Sequence, residues 1–96
     1  MLTSKQRAYL RGIASTVPAL FQIGKNGIND PFIQQIKDAL EAREIIKVHV
    51  LENATIDVRE ACHEVAALTD SEPVQVIGRK FVLYKESKNN KRIELP

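Results

Sequence analysis

The 96-residue chain has one cysteine, no tryptophan and only five aromatic side chains: Tyr9, Phe21, Phe32, Phe81 and Tyr84. A lone thiol, Cys62, excludes an intramolecular disulfide and leaves no C-x-x-C pair for zinc. Neither His49 nor His63 has a partner at metal-ligating spacing, so no metal is expected. The few aromatics offer no platform for stacking successive bases, because Phe81 and Tyr84 fall on opposite faces of one strand. No apolar run approaches the roughly 20 residues of a bilayer span, and Met1 to Lys5 leads into a charged pattern without the apolar core of a secretory leader. A cytoplasmic protein without membrane contact is the expectation. Ser15, Ser71 and Ser87 lie in no nucleophile elbow and no acid-base pair stands out, so neither catalysis nor a cofactor is expected.

What is present is an uneven charge. The formal net charge is only +2. Residues 1–29 hold Lys5, Arg7, Arg11 and Lys25 and no acid; residues 30–78 hold four bases against ten acids; residues 79–96 hold six bases against two acids. If the fold brings the two ends together, a cationic face lies opposite an anionic one.

Residues 1–96 are of a size for one domain. Leu10, Ile13, Ala14 and Val17 form a helical stripe closed by Pro18, and Arg7 and Arg11 share the neighbouring edge. Ala19 to Ile23 reads as a short strand. Asp30 is expected to cap a second helix, with Pro31 in its first turn and Phe32, Ile33, Ile36, Ala39 and Leu40 inward. Residues 45–51 alternate as a half-covered strand with Ile46, Val48 and Val50 on one face and Lys47 and His49 on the other. A third helix starts at Asp57 and turns Val58, Cys62, Val65 and Leu68 inward, and Ser71-Glu72-Pro73 stops it. Val74 to Ile77 and Lys80 to Tyr84 flank Gly78-Arg79, the Gly-X form of a type II′ hairpin turn. A basic, flexible tail is expected from about residue 86.

The order α-β-α-β-α-β-β is an α/β arrangement. Right-handed crossovers make strands 1 to 3 parallel with the second and third helices on one sheet face, while strand 4 returns antiparallel. The loop after strand 1, Gly24-Lys25-Asn26-Gly27, and the tip Gly78-Arg79-Lys80 after strand 3 then share one end of the sheet. Glycines at both ends allow close backbone approach, free amides face outward, and Lys25 adds charge, which suits a phosphate. G-x-x-G is not the longer nucleotide cradle, and by itself it is also an ordinary turn. An Asp30 cap would occupy the second helix's amides and repel an anion.

The segments L-T-S-K-Q-R-A-Y-L-R, F-Q-I-G-K-N-G-I, E-I-I-K-V-H-V and V-Q-V-I-G-R-K-F-V-L-Y-K, in this order and spacing, resemble the CRM domain (chloroplast RNA splicing and ribosome maturation), in its free-standing bacterial YhbY-like form. The resemblance covers nearly the whole chain. It implies a two-layer fold similar to the C-terminal domain of translation initiation factor 3, with a mixed four-stranded sheet. It implies RNA as the partner, specifically large-subunit ribosomal RNA in precursor particles; ribosomal proteins are further candidate partners, and a monomer is expected. The family's G-x-x-G loop falls on Gly24, Lys25, Asn26 and Gly27; it is compared with the KH-domain loop, but joins a strand to a helix rather than two helices. The expected RNA-binding residues are these four with Arg7, Arg11, Arg79, Lys80 and Lys85. The acidic middle supports a rival reading as a protein-interaction module on ribosomal particles, with RNA contact incidental.

Overall fold

A computed structural model describes residues 1–96. Its elements are α1 (Ser4–Ala14), β1 (Ala19–Ile23), α2 (Asp30–Arg43), β2 (Ile45–Val50), α3 (Val58–Thr69), β3 (Glu72–Ile77) and β4 (Lys80–Tyr84). Each helix starts on a polar cap. Thr3 and Gln6 form a capping box on α1, and the Asp57 carboxylate accepts from the Arg59 and Glu60 amides on α3. On α2 the cap is Asn29, not Asp30: the Asn29 side chain accepts from the Phe32 N–H at 2.9 Å and Asp30 begins the helix. Either residue has the short oxygen-bearing side chain a cap needs, and an acid one position later still suits the helix dipole.

The sheet order is β1-β2-β4-β3. β1 and β2 are parallel, and β4 runs antiparallel to both β2 and β3. Strands 1 to 3 therefore share a direction, with β4 inserted between the second and third. β3 is an edge strand, which tolerates Pro73 and its missing N–H. A bulge between Pro73 and Gln75 adds Val74 to the strand without a partner.

Alternation along β2 and β4 sends Ile46, Val48, Val50, Phe81 and Leu83 to one face, where they bury against Ile36 and Leu40 of α2 and Ala61, Cys62, Val65 and Ala66 of α3. Side chains of this size contribute roughly 1.5–3 kcal/mol each when removed from water. The inward stripe of α3 runs through Ala61, Ala66 and Thr69, and Leu68 is 50% exposed rather than inward. Small residues let α3 lie close to the sheet, and the stripe follows them. The opposite face carries Ile45, Val82 and Tyr84, covered by Leu10 and Ala14 of α1 with Leu2 and Ile93. The first helix thus covers the sheet face that α2 and α3 leave open. No helix is long and apolar enough to cross a membrane.

The sequence expectation of a flexible tail from about residue 86 meets a segment that is tied down. The Glu41 carboxylate accepts from the amides of Lys88 and Asn89 and from the Ser87 hydroxyl. Glu44, fully buried, accepts from the amides of Ser87, Arg92 and Ile93 at 2.6–2.7 Å. Glu44 itself takes φ 67°, where the chain turns from α2 into β2, and its N–H donates to the Leu40 carbonyl. Polar residues that look unstructured locally are ordered here by carboxylates more than 40 positions away.

Candidate nucleic-acid interface

Gly24 to Gly27 is a hydrogen-bonded turn in which the Gly27 N–H donates to the Gly24 carbonyl at 3.0 Å. Gly27 has φ +69°, a conformation that disfavours a side chain, whereas neither Lys25 nor Asn26 takes positive φ. Lys25 and Asn26 are exposed at the corner, and their amides have no acceptor within the protein. At Gly24 a Cβ would lie 3.5 Å from Asn53 Oδ1 and 3.6 Å from Leu51 Cδ1, which is ordinary contact. Nothing inside the fold therefore requires glycine at position 24.

The start of α2 has little left to offer an anion. Pro31 has no N–H, Phe32 donates to Asn29, and Ile33 donates to the Asn29 carbonyl at 3.0 Å. The groups left free to face an anion in this region are the turn amides and Lys25 rather than the start of the helix.

The hairpin tip sits at the same end of the sheet. Gly78 alone has positive φ in the two-residue loop, as a type II′ turn requires. Its neighbour Arg79 is anchored: Nε donates to the Val50 carbonyl at 2.9 Å and Nη2 donates to the Leu51 carbonyl. Three of its five N–H donors remain free to face outward. β1 and β3 are opposite edges of the sheet, but the tip joins β3 to β4, so it begins two strand spacings from the Gly24 turn, about 10 Å. The Arg79 side chain closes part of that distance, because Leu51, whose carbonyl accepts from it, donates to the Ile23 carbonyl beside Gly24.

Between the tip and α1 lies a shallow groove of about 610 Å³ lined by Arg11, Ser15, Lys47, His49, Arg79 and Lys80 together with Gln75 and Gly78. It exists because α1 ends before it reaches the tip, so the polar half of the sheet face stays uncovered. Lys80 lies opposite His49 in the β2/β4 register, and Gln75 lies opposite Val82. Lys47 donates from Nζ to the Ala14 carbonyl at 2.8 Å, where the negative end of the α1 dipole favours a cation. No carboxylate lines the groove.

The structure gathers Arg11, Arg79 and Lys80 in this groove and places Gly24, Lys25, Asn26 and Gly27 at the other corner of the same end. Arg7 and Lys85 lie elsewhere. Arg7, one turn back on α1, reaches the Pro73 carbonyl with Nε at 3.4 Å and covers the open edge of β3. Lys85 follows β4 at the far end of the sheet, where its Nζ donates to the Thr69 carbonyl at 3.3 Å. Lys47, His49 and Gln75 are groove residues that the sequence reading did not include. The alternation of β2 gave Lys47 and His49 the right face, but only the insertion of β4 sets Lys80 beside them.

The remaining reactive groups are quiet. Burial pushes the Cys62 thiol up to about 11, against a smaller opposing effect of Arg59, so it is a protonated core side chain. No group of acidic, histidine or cysteine side chains is placed to hold a metal ion. Acids cluster instead on the α2 and α3 side, where Asp30, Asp38, Glu60 and Glu64 are exposed, so the sheet separates a basic side from an acidic one.

Comparison with known proteins gives a consistent match over the chain. A family model for the CRS1 / YhbY (CRM) domain matches residues 2–85. The chain is 51% identical over 96 residues to the Bacillus subtilis (strain 168) protein named "Probable RNA-binding protein YqeI", with both chains covered completely. It is 32% identical over 95 residues to a Haemophilus influenzae protein named "RNA-binding protein", covering 99% of this chain and 95% of that one. The solution structure of the Staphylococcus aureus hypothetical protein SAV1595 superposes with a TM-score of 0.83 at 55% identity, again over the whole of both chains.

Proposed function

The chain belongs to the CRS1 / YhbY (CRM) domain family, and on that premise we propose that it is a cytoplasmic RNA-binding protein that takes ribosomal RNA in precursors of the large subunit. The observation that carries the reading is the acid-free groove formed by Arg11, Lys47, Arg79 and Lys80, at the same end of the sheet as the Gly24 to Gly27 turn. Cations on a shallow, largely pre-formed surface suit a sugar-phosphate backbone, and the scarcity of exposed aromatics argues against base-by-base readout there. Lys25 and the turn amides serve one stretch of phosphates, and the groove serves another. The names of the two curated relatives support RNA as the ligand class.

The test is binding to precursor large-subunit RNA stripped of protein, with crosslinks mapped from Lys25 and Lys80. Retained affinity with crosslinks to ribosomal RNA supports the reading. Affinity that disappears when the ribosomal proteins are removed sinks it, and favours docking of the acidic α2 and α3 side on a basic protein.

A further inference from the structure

A second depression, of about 490 Å³, lies beyond α1 from the groove. The α1–β1 connection supplies Val17 and Pro18, β1 supplies Leu20 and Phe21, and Ile45 opens β2. Its floor is therefore apolar, and Leu20 is 52% exposed over it. Its rim carries Arg43, Arg92 and Lys47, and no acid. Arg43 and Arg92 are exposed, and their guanidinium groups have no hydrogen-bond or ion-pair partner in the protein.

The position of Arg92 is set by a buried acid. Glu44 accepts the Arg92 N–H at 2.6 Å and the Ile93 N–H at 2.7 Å on one oxygen, and the Ser87 N–H at 2.7 Å on the other. The carboxylate is consumed by the backbone and contributes nothing to the lining of the cleft. Its effect is to hold a cation from the C-terminal segment beside Arg43 at the end of α2. Lys47 lies in the wall of both depressions, so they are neighbours on either side of the contact it makes with the end of α1.

We propose that this cleft receives an unpaired nucleobase of the RNA strand that lies in the groove, with the flanking phosphates on Arg43 and Arg92. The proposal rests on the RNA-binding reading above and adds a site to it. A base offers an apolar face flanked by anions, and an apolar floor rimmed by unpaired planar cations is its complement. The volume falls within the roughly 300–1,000 Å³ of sites for small organic groups. Stacked bases of a duplex cannot enter, so the cleft distinguishes single-stranded from paired RNA, while the groove reads backbone charge alone.

Methyl-labelled protein titrated with a short oligouridylate, and separately with a blunt RNA duplex, tests this. The methyl resonances of Val17, Leu20 and Ile45 shift with the oligouridylate and not with the duplex. The double variant Arg43→Ala/Arg92→Ala, which alters only exposed side chains, weakens oligouridylate binding by about tenfold and flattens its log–log salt slope by about 1.4, at roughly 0.7 per lost phosphate contact. Duplex binding is unchanged. Cleft methyls that stay still while the His49 and Lys80 amides move, or a folded double variant that binds both probes like the native chain, overturn the cleft and leave the RNA-binding reading intact. Silence at both places with both probes overturns that reading, and the proposal with it.

Discussion

The Arg79 side chain donates from Nε to the Val50 carbonyl at 2.9 Å, fastening the β3–β4 hairpin tip to the end of β2. A second donation reaches Leu51, which itself donates to the Ile23 carbonyl at 2.8 Å. The end of the sheet that carries the tip, the groove and the Gly24 turn is thus one connected rim. Arg79 is part of its frame as well as of its charge.

That dual role separates two neighbouring cations. Arg79→Ala removes charge-assisted hydrogen bonds and is expected to lower unfolding free energy by roughly 1–2 kcal/mol, along with RNA affinity. Lys80→Ala, exposed and without a protein partner, lowers affinity and leaves stability within about 0.5 kcal/mol. Denaturant unfolding and binding measured on both variants decide it; equal stability for the two would remove Arg79 from the frame.

The two glycines of the turn are expected to differ in kind. Gly27→Ala forces a side chain into φ +69° and costs roughly 1–2 kcal/mol of stability. Gly24→Ala meets only ordinary contacts at 3.5 and 3.6 Å, so it folds normally. An affinity loss in Gly24→Ala without a stability loss locates the close approach on the RNA. Unchanged affinity means that no ligand backbone comes close to position 24.

The C-terminal segment carries its own pH dependence. Backbone donation from Lys88, then the Ser87 hydroxyl and the Asn89 N–H, holds the Glu41 carboxyl down at about 2. For Glu44 burial pushes upward, but donation from Ser87, Arg92 and Ile93 outweighs it and the net shift is downward. A carboxylate whose folded value is depressed adds stability above its ordinary value of 4.5 and loses it as pH falls through the folded value. The clasp is therefore intact at neutral pH and opens between about 4.5 and 2. The amide resonances of Lys88 and Asn89, which donate to Glu41, should move together in that window, and release at pH 5 or above would contradict the assignment.

Much of this arrangement was legible in the residues. Gly78-Arg79 between two alternating runs fixed the hairpin, and the crossover rule fixed the directions of the first three strands. The G-x-x-G turn lies where Gly24 to Gly27 placed it. The expected cap, Asp30, is one residue late, and Asn29 takes the role because the two side chains offer nearly equivalent chemistry. Leu68 falls outward, against the expectation from its hydrophobicity, because the small residues Ala61 and Ala66 decide how closely α3 approaches the sheet. The sequence reading missed the clasp of Glu41 and Glu44 because a carboxylate collecting distant backbone amides leaves no local pattern. The groove depended on strand order: Lys47 and His49 gain Lys80 only when β4 lies beside β2, and Lys85, five residues beyond Lys80 and just past the end of β4, is carried to the opposite end.

The most direct test of the account is the salt dependence of binding to protein-free precursor large-subunit RNA, for the native chain and for Lys25→Ala/Arg11→Ala/Lys80→Ala. All three side chains are exposed and none has a partner within the protein, so the variant should keep its fold and its thermal midpoint. If the turn and the groove both hold phosphates, the slope of log affinity against log salt flattens by roughly 2–3, at about 0.7–0.9 for each of the three lost contacts. A folded triple variant with native slope and native affinity would contradict the account at its centre.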